Sequence, residues 1–291
     1  MPEGDTIHAV ARALAPRLIG EPVQRLVVLG QPIPLSDRTV TDVEARGKHL
    51  VVTLAGPVLR VHLGMKGSWH RYDPGQPWER PARTAGVILE TPQHVAVCFQ
   101  PAEAELYLDR GGAERGILGK LGPDLLAATF DAEAALARAR TRDGGAPIAD
   151  LLLDQRVACG IGNVYKCEVL FLHGLAPRTP AARVSDAQLV ACWATARALM
   201  QENLALGGPR TTTAAHFREA DAKAPSAKAL KALRRRIPAH LRSWVYEREG
   251  EPCLRCRGPI AREVLGRDLR VTYWCPRCQP LEGAETPAGS G

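Results

Sequence analysis

No apolar run in this 291-residue chain approaches the roughly 20 residues needed to cross a bilayer, although hydrophobic residues make up 45% of it. A spanning helix is thereby excluded, and there is enough apolar material for a sizeable core. The opening residues are acidic where a secretory signal would be basic, and no apolar stretch with a small-residue cleavage site follows them, so a cytoplasmic protein is expected. No internal repeat is visible, which sets aside solenoid architectures. A chain of this length exceeds a typical domain of about 100 to 200 residues and predicts two modules.

Charge is present but unevenly placed. The formal net charge is +7; between Gly208 and Pro280 there are 16 Lys/Arg against 7 Asp/Glu, a surplus of nine, so the remainder sums to −2. A basic segment beside a near-neutral body is the footprint of a protein that neutralises phosphates. A merely solvated basic face is the alternative, and charge alone does not separate DNA from RNA.

Apolar residues at Ile7, Val10, Leu14 and Leu18 fall at helical spacing and predict a helix from Asp5 to about Leu18, ended near Pro16 and Gly20. Short β-rich runs then follow, Leu26–Leu29, Leu50–Leu54, Val58–Val61, Gly86–Leu89 and Val95–Phe99, which predict a β-sandwich or barrel. An alanine-rich polar stretch broken by Gly144-Gly145-Ala146-Pro147 marks the domain junction. Beyond it Pro147 suits a first helical turn, with Ile148, Leu151, Leu152 and Gln155 on one face before Gly160-Ile161-Gly162-Asn163 interrupts. A second helix to about Gly174 and a third from Val184 to Leu206 are expected, then a basic loop beginning at Gly207. The fold class is therefore α+β, with a β-sandwich domain over 1–130, a linker over 131–146, a helical domain over 147–250, a cysteine-rich hairpin over 251–280 and a disordered tail over 281–291.

The strongest local motif is Cys253-x2-Cys256, eighteen residues, then Cys275-x2-Cys278. Each pair sets two thiolates on one tight turn, and four complete a zinc tetrahedron with no open position, so one structural Zn2+ is expected in preference to a redox dithiol or a disulfide. Cys98, Cys159, Cys167 and Cys192 are scattered and read as small buried hydrophobes. Pro2-Glu3-Gly4 is a weaker signal. With Met1 removed, Pro2 presents a secondary amine that is partly neutral and nucleophilic near neutrality, and a helix behind it lowers its proton affinity further. Glu3 beside it suits a general acid. The Gly160–Asn163 turn suits a phosphate cradle or a plain helix hairpin. Met65, in Arg60-Val61-His62-Leu63-Gly64-Met65, suits a wedge between bases or a core position.

Taken in order from Pro2 to Gln279, these motifs resemble the formamidopyrimidine-DNA glycosylase and endonuclease VIII family of bacterial base-excision repair. Met1-Pro2-Glu3-Gly4 looks like the endonuclease VIII branch, and Asp5-Thr6-Ile7-His8 like actinobacterial members of it. Leu151–Gln155 through Gly160–Tyr165 and Glu168–Leu170 resembles the helix-two-turn-helix, and Gly250–Cys253 to Tyr273–Gln279 the zinc finger hairpin. The resemblance implies Pro2 as the nucleophile at the sugar C1′, Glu3 as the acid for the ring oxygen, and Lys48 as the β-hairpin lysine that assists at the lesion. It implies Asn163 and Arg270 as the grip on phosphates flanking the lesion, Met65 as the wedge and His62 as a phosphate neighbour.

The implied activity is glycosylase plus abasic-site lyase with β,δ-elimination on damaged double-stranded DNA, by a monomer associated with the nucleoid. Thr6 stands where many members carry a second glutamate, which leaves that supporting role absent or carried elsewhere. Tyr107–Gly112 lacks the Arg and Phe wedge pair of the formamidopyrimidine branch, which points to oxidised pyrimidines such as thymine glycol over oxidised purines. A non-catalytic zinc protein that only holds DNA is the reading from another class; it gives Pro2 and Glu3 no role.

Overall fold

The computed structural model describes residues 2–35, 38–207, 210–219 and 227–281, with side chains described throughout except at 218–219 and 227–230. The expected tail beyond Leu281 lies outside the described residues. The chain divides into two compact units, Met1–Ala128 and Thr129–Gly291.

The first unit opens with helix α1 (Gly4–Leu18), whose Ile7, Ala11, Leu14 and Leu18 are buried at helical spacing. Ala11 completes the stripe in place of the half-buried Val10. Nine strands follow: β1 (Arg25–Val28), β2 (Gln31–Ile33), β3 (Asp42–Arg46), β4 (His49–Thr53), β5 (Val58–His62), β6 (Ser68–Tyr72), β7 (Ala85–Glu90), β8 (Val95–Phe99) and β9 (Glu103–Tyr107). They form two antiparallel sheets, ordered β2-β1-β7-β8-β6 and β3-β4-β5-β9, which confirms the sandwich. Leu26, Val28, Val87, Leu89, Ala96 and Cys98 of one sheet share a core with Val43, Leu50, Val52, Leu59 and Val61 of the other, and α1 packs into it. The five-stranded sheet also buries its far face, where Val27, Ile88, Val97 and Phe99 pack beneath Trp78. Both faces being covered explains why β1, β7 and β8 read as continuous apolar runs. A short helix, α2 (Arg110–Arg115), follows, capped by Asp109 Oδ1 accepting from the Gly112 N–H at 2.6 Å.

In the second unit the stretch read as a linker carries a helix, α3 (Ala132–Arg140), capped by Asp131, with Ala135 and Ala139 buried. The alanines read as part of a linker are strong helix formers, and Ala135 and Ala139 are buried. Then come α4 (Ile148–Leu153), α5 (Asn163–Leu172), α6 (Asp186–Leu206), α7 (Ala214–Glu219) and α8 (Ala227–Arg236), and the hairpin of β10 (Ala261–Leu265) and β11 (Arg270–Trp274). Gln155 lies past the end of α4, not on its apolar face. Its Nε2 donates to the Leu153 and Ile161 carbonyls at 2.7 and 2.9 Å, and its Oε1 accepts from the Gly160 N–H at 3.0 Å, so it ties together the turn between the helices.

Candidate active site, DNA grip and metal centre

At the head of the chain Pro2 is half-buried and Glu3 is 0% exposed. Glu3 caps α1; its carbonyl accepts from the Thr6 and Ile7 N–H groups at 3.0 and 3.2 Å. The Glu3 N–H donates to Thr6 Oγ1 at 3.5 Å, one half of a capping box. Thr6 therefore acts on the backbone of Glu3, a local structural role for the residue that departs from the family pattern.

Lys48 lies in the two-residue turn between β3 and β4. Arg46 pairs with His49, and Gly47 takes φ 58°, the conformation that the first turn residue of a type II′ hairpin demands. Gly47 and Lys48 thus form the turn of a hairpin. Asp124 fixes that hairpin. Its Oδ2 accepts from the Gly47 N–H at 2.7 Å and lies 3.1 Å from His8 Nε2 on α1, while Oδ1 accepts from the Leu126 N–H at 2.7 Å. One carboxylate therefore holds both the helix behind Pro2 and Glu3 and the turn that carries Lys48.

Behind Lys48 sits a buried polar cluster. Arg60, 1% exposed, reaches His49 Nδ1 at 3.0 Å and the Glu103 and Glu105 carboxylates at 2.8 and 3.1 Å. The guanidinium donates to His49 Nδ1, which leaves the ring proton of the neutral imidazole on Nε2. Burial, then unfavourable coupling to His62, Arg60, Lys48 and Arg46, pushes the His49 pKa down to about 3. The His62 ring lies 5.0 Å from that of His49, and burial lowers its pKa too, with Glu103 opposing and Lys48 and Arg60 reinforcing. His62 Nδ1 is buried with no hydrogen-bond partner. Both shifts favour the neutral ring.

Met65 is 71% exposed at the tip of the turn after β5, so it is not a core residue. That turn is tight: Gly64 has φ 61°, and a Cβ there would lie 2.6 Å from the Ala102 Cβ. The β5–β9 register pairs His62 with Glu103 and Val58 with Tyr107. The residues beside the Met65 turn are accordingly Ala102 and Glu103, whereas Tyr107–Gly112 begins at the opposite end of β9. The lack of Arg and Phe in Tyr107–Gly112 therefore says nothing about the wedge; this corrects the inference drawn from that segment.

Asn163 and Arg270 are brought together by α5 and β11. Asn163 Nδ2 donates to the Val271 carbonyl at 2.7 Å, one residue from the exposed Arg270 at the start of β11. Lys166, 0% exposed, donates to Asn163 Oδ1 at 2.7 Å, Thr272 Oγ1 at 2.7 Å and the Val271 carbonyl at 3.3 Å. At the hairpin tip the Arg267 N–H donates to Asp150 Oδ2 of α4 at 2.9 Å, and only a glycine fits at position 266, where a Cβ would lie 1.7 Å from Asp150 Oδ1. Glu168, also 0% exposed, accepts from the Trp244, Val245 and Tyr246 N–H groups at 2.7, 3.0 and 3.0 Å and from Thr212 Oγ1. Lys166 and Asp150 did not stand out in the sequence, and Glu168 did so only within the helix-two-turn-helix resemblance, because their partners lie far along the chain.

The Sγ atoms of Cys253, Cys256, Cys275 and Cys278 lie within 4.8 Å of one another, with 3.8 Å between Cys253 and Cys278 and 3.4 Å between Cys256 and Cys275. A tetrahedron of Zn–S bonds of about 2.3 Å has S···S edges of about 3.8 Å, so the cluster fits zinc, and its spacing is far beyond the ~2.05 Å of a disulfide. The first knuckle is closed by the Cys253 N–H donating to the Gly258 carbonyl at 2.8 Å, and Phe171 of α5 stacks on Trp244 beside it. Gln279 ties the second knuckle down: its Oε1 accepts from the Cys275 N–H at 2.9 Å and its Nε2 donates to the Leu175 carbonyl at 2.8 Å. The other four cysteines are buried thiols, as expected.

Three family models match the chain: the formamidopyrimidine-DNA glycosylase N-terminal domain over residues 1–104, the formamidopyrimidine-DNA glycosylase H2TH domain over 121–215, and a zinc finger found in FPG and IleRS over 250–281. Residues 105–120 and 216–249 lie outside all three. The probable endonuclease 8 2 of Streptomyces coelicolor is 36% identical, with 98% of each chain covered. The DNA-(apurinic or apyrimidinic site) lyase Nei2 of Mycolicibacterium smegmatis is 35% identical over 96% of this chain and 99% of its own. In fold the chain is similar to the Lactococcus lactis formamidopyrimidine DNA glycosylase solved on abasic-site DNA, with a TM-score of 0.72 at 22% identity over 96% of this chain and 100% of that one. With the sandwich, the helix-two-turn-helix and the four-cysteine hairpin in the same order along almost its whole length, the chain belongs to the formamidopyrimidine-DNA glycosylase and endonuclease VIII family of DNA-repair enzymes.

Proposed function

We propose that this protein excises oxidised bases from duplex DNA and then cuts the strand, with the Pro2 nitrogen as nucleophile and oxidised pyrimidines as the preferred lesions. The observation that carries the reading is Glu3: the residue next to the N-terminal proline keeps its carboxyl out of water at the head of α1, which supports an acid beside the nucleophile. With Met1 removed, Pro2 N attacks the sugar C1′ and the bond from C1′ to the base breaks, the base leaving with the electron pair and taking up the proton that the Pro2 nitrogen sheds. Glu3 protonates the ring oxygen, the C1′–O4′ bond opens, and Pro2 N becomes an iminium. Loss of a C2′ proton then breaks the C3′–O bond, and a second elimination breaks C5′–O to leave a one-nucleotide gap.

Lys48, held by Asp124 in register with α1, assists at the lesion; Asn163 and Arg270 grip the flanking phosphates; His62 faces the backbone; Met65 fills the gap left by the extruded base. Cys253, Cys256, Cys275 and Cys278 would hold one zinc ion that stabilises the hairpin carrying Arg270 and leaves no coordination position for chemistry. The preference for pyrimidines rests on the endonuclease VIII character of the N-terminus alone. We take the protein to act as a monomer, in the cytoplasm at the nucleoid.

Borohydride trapping of the Met1-processed protein on duplexes carrying an abasic site, thymine glycol or 8-oxoguanine tests this. A covalent band strongest on thymine glycol and on the abasic site, and lost in Pro2→Gly, is expected. Undiminished trapping in Pro2→Gly would overturn the nucleophile, a band favouring 8-oxoguanine would overturn the lesion class, and no band on any duplex would leave a DNA-holding zinc protein.

A further inference from the structure

Residues 216–249, between the helix-two-turn-helix and the finger, match none of the family domains, yet they carry the densest positive charge in the chain. No Asp or Glu occurs between Asp221 and Glu247, and α8 contains Lys228, Lys231, Arg234, Arg235 and Arg236. Those cations divide by burial. Arg234 is 1% exposed and points inward with Ile237, whereas Lys231, Arg235 and Arg236 are exposed on the opposite arc, separated only by the small Ala232. Among the described residues none of these three is paired with a carboxylate.

Arg234 anchors the helix. Its Nη1 donates to the Glu202 carbonyl at 3.3 Å and its Nη2 to Asn203 Oδ1, both on α6. The same Asn203 donates through Nδ2 to the Tyr165 hydroxyl at 2.9 Å and accepts from the Thr211 N–H at 3.0 Å. Tyr165 lies on α5 two residues from Asn163, so the exposed arc of α8 is registered, through one buried amide, to the helix that carries the phosphate grip. A merely solvated basic helix needs no such anchor. An apolar partner would find only alanine to cover on that arc, whereas Lys231 and Arg235, one helical turn apart on one face, present neighbouring cations to a polyanion.

We propose that α8 is a second grip on the DNA backbone, lying outside the three family domains, in which Lys231, Arg235 and Arg236 neutralise phosphates of the bound duplex. It rests on the DNA-binding part of the proposed function but not on the Pro2 chemistry. Backbone phosphates carry no lesion information, so the contribution is the same on damaged and undamaged DNA.

The test is the salt dependence of binding by the zinc-loaded full chain to undamaged and to abasic-site duplexes, for wild type and for the triple variant Lys231→Gln, Arg235→Gln, Arg236→Gln. Each lost duplex-phosphate contact flattens the plot of log affinity against log salt by about 0.9, so the triple variant is expected to be shallower by about 2.7 on both duplexes, and Arg235→Gln alone by about 0.9. An unchanged zinc content and melting temperature confirm that the variants fold. A slope equal to wild type in folded variants, or a change confined to the abasic duplex, overturns the proposal. Wild type that binds neither duplex overturns the DNA-binding reading itself.

Discussion

Two buried polar clusters lie under the two halves of the proposed machinery, and they are closed differently. Under the Asn163–Arg270 grip, Lys166 spends its three N–H donors on Asn163, Thr272 and Val271, and the Glu168 carboxylate accepts four hydrogen bonds from 212 and 244–246. Under Lys48, Arg60 reaches one histidine and two half-exposed carboxylates while its Nε and His62 Nδ1 stay unpaired. Buried donors and acceptors without partners cost free energy and are rare in scaffolding. The closed cluster fixes where α5 and the finger stand; the open one keeps two buried nitrogens without a partner beside the proposed Lys48 site.

That contrast breaks first if Glu168 is dispensable. Glu168→Ala leaves three backbone N–H groups without their acceptor, while the Thr212 hydroxyl keeps the Arg242 carbonyl at 3.2 Å, and we expect it to lower unfolding free energy by about 3 to 5 kcal/mol in urea titrations. A loss below about 1 kcal/mol would mean that water replaces the carboxylate and that the cluster is not closed. The open cluster predicts a pH effect in place of a large truncation cost. His49 titrates at about 3 in the fold against its ordinary 6.5. Its burial as a neutral ring therefore contributes fully above 6.5, and that contribution is lost as pH falls from 6.5 toward 3, because the unfolded chain takes up a proton that the fold refuses. Stability measured between pH 7 and 4.5 should fall more steeply for wild type than for His49→Gln, which keeps an acceptor for Arg60 but does not titrate. Parallel curves would show that His49 protonates in place.

What was readable in the sequence follows the same division. β1, β4, β5, β7 and β8 announced themselves because their apolar runs face a core, whereas β2, β3, β6 and β9, with sequences such as Asp42–Arg46 and Glu103–Tyr107, are too polar for a pattern to survive. The cysteine pairs and the Gly160–Asn163 turn were visible because their chemistry is local. The ties that place them were not. Gly47 meets Asp124 across 77 positions and Lys166 meets Thr272 across 106, and nothing in either neighbourhood marks the partner. The wedge inference failed for the same reason, since only the β5–β9 register shows which residues lie beside Met65.

The smallest expected effect is the one that most directly separates scaffold from site. Asp124→Asn keeps the shape but replaces one acceptor oxygen by an NH2 group, so it cannot serve Gly47, His8 and Leu126 together; a loss of about 1 kcal/mol in stability follows. A scaffold residue would show that loss and nothing else. Because Asp124 holds the Lys48 turn in register with α1, single-turnover cleavage of saturating abasic-site DNA should also slow by about tenfold with Kd unchanged, well within what misplacing a reacting group by a fraction of an ångström costs. Full cleavage rate in a folded Asp124→Asn protein would show that Lys48 is positioned by its hairpin alone, and the site would then be as self-contained as the finger.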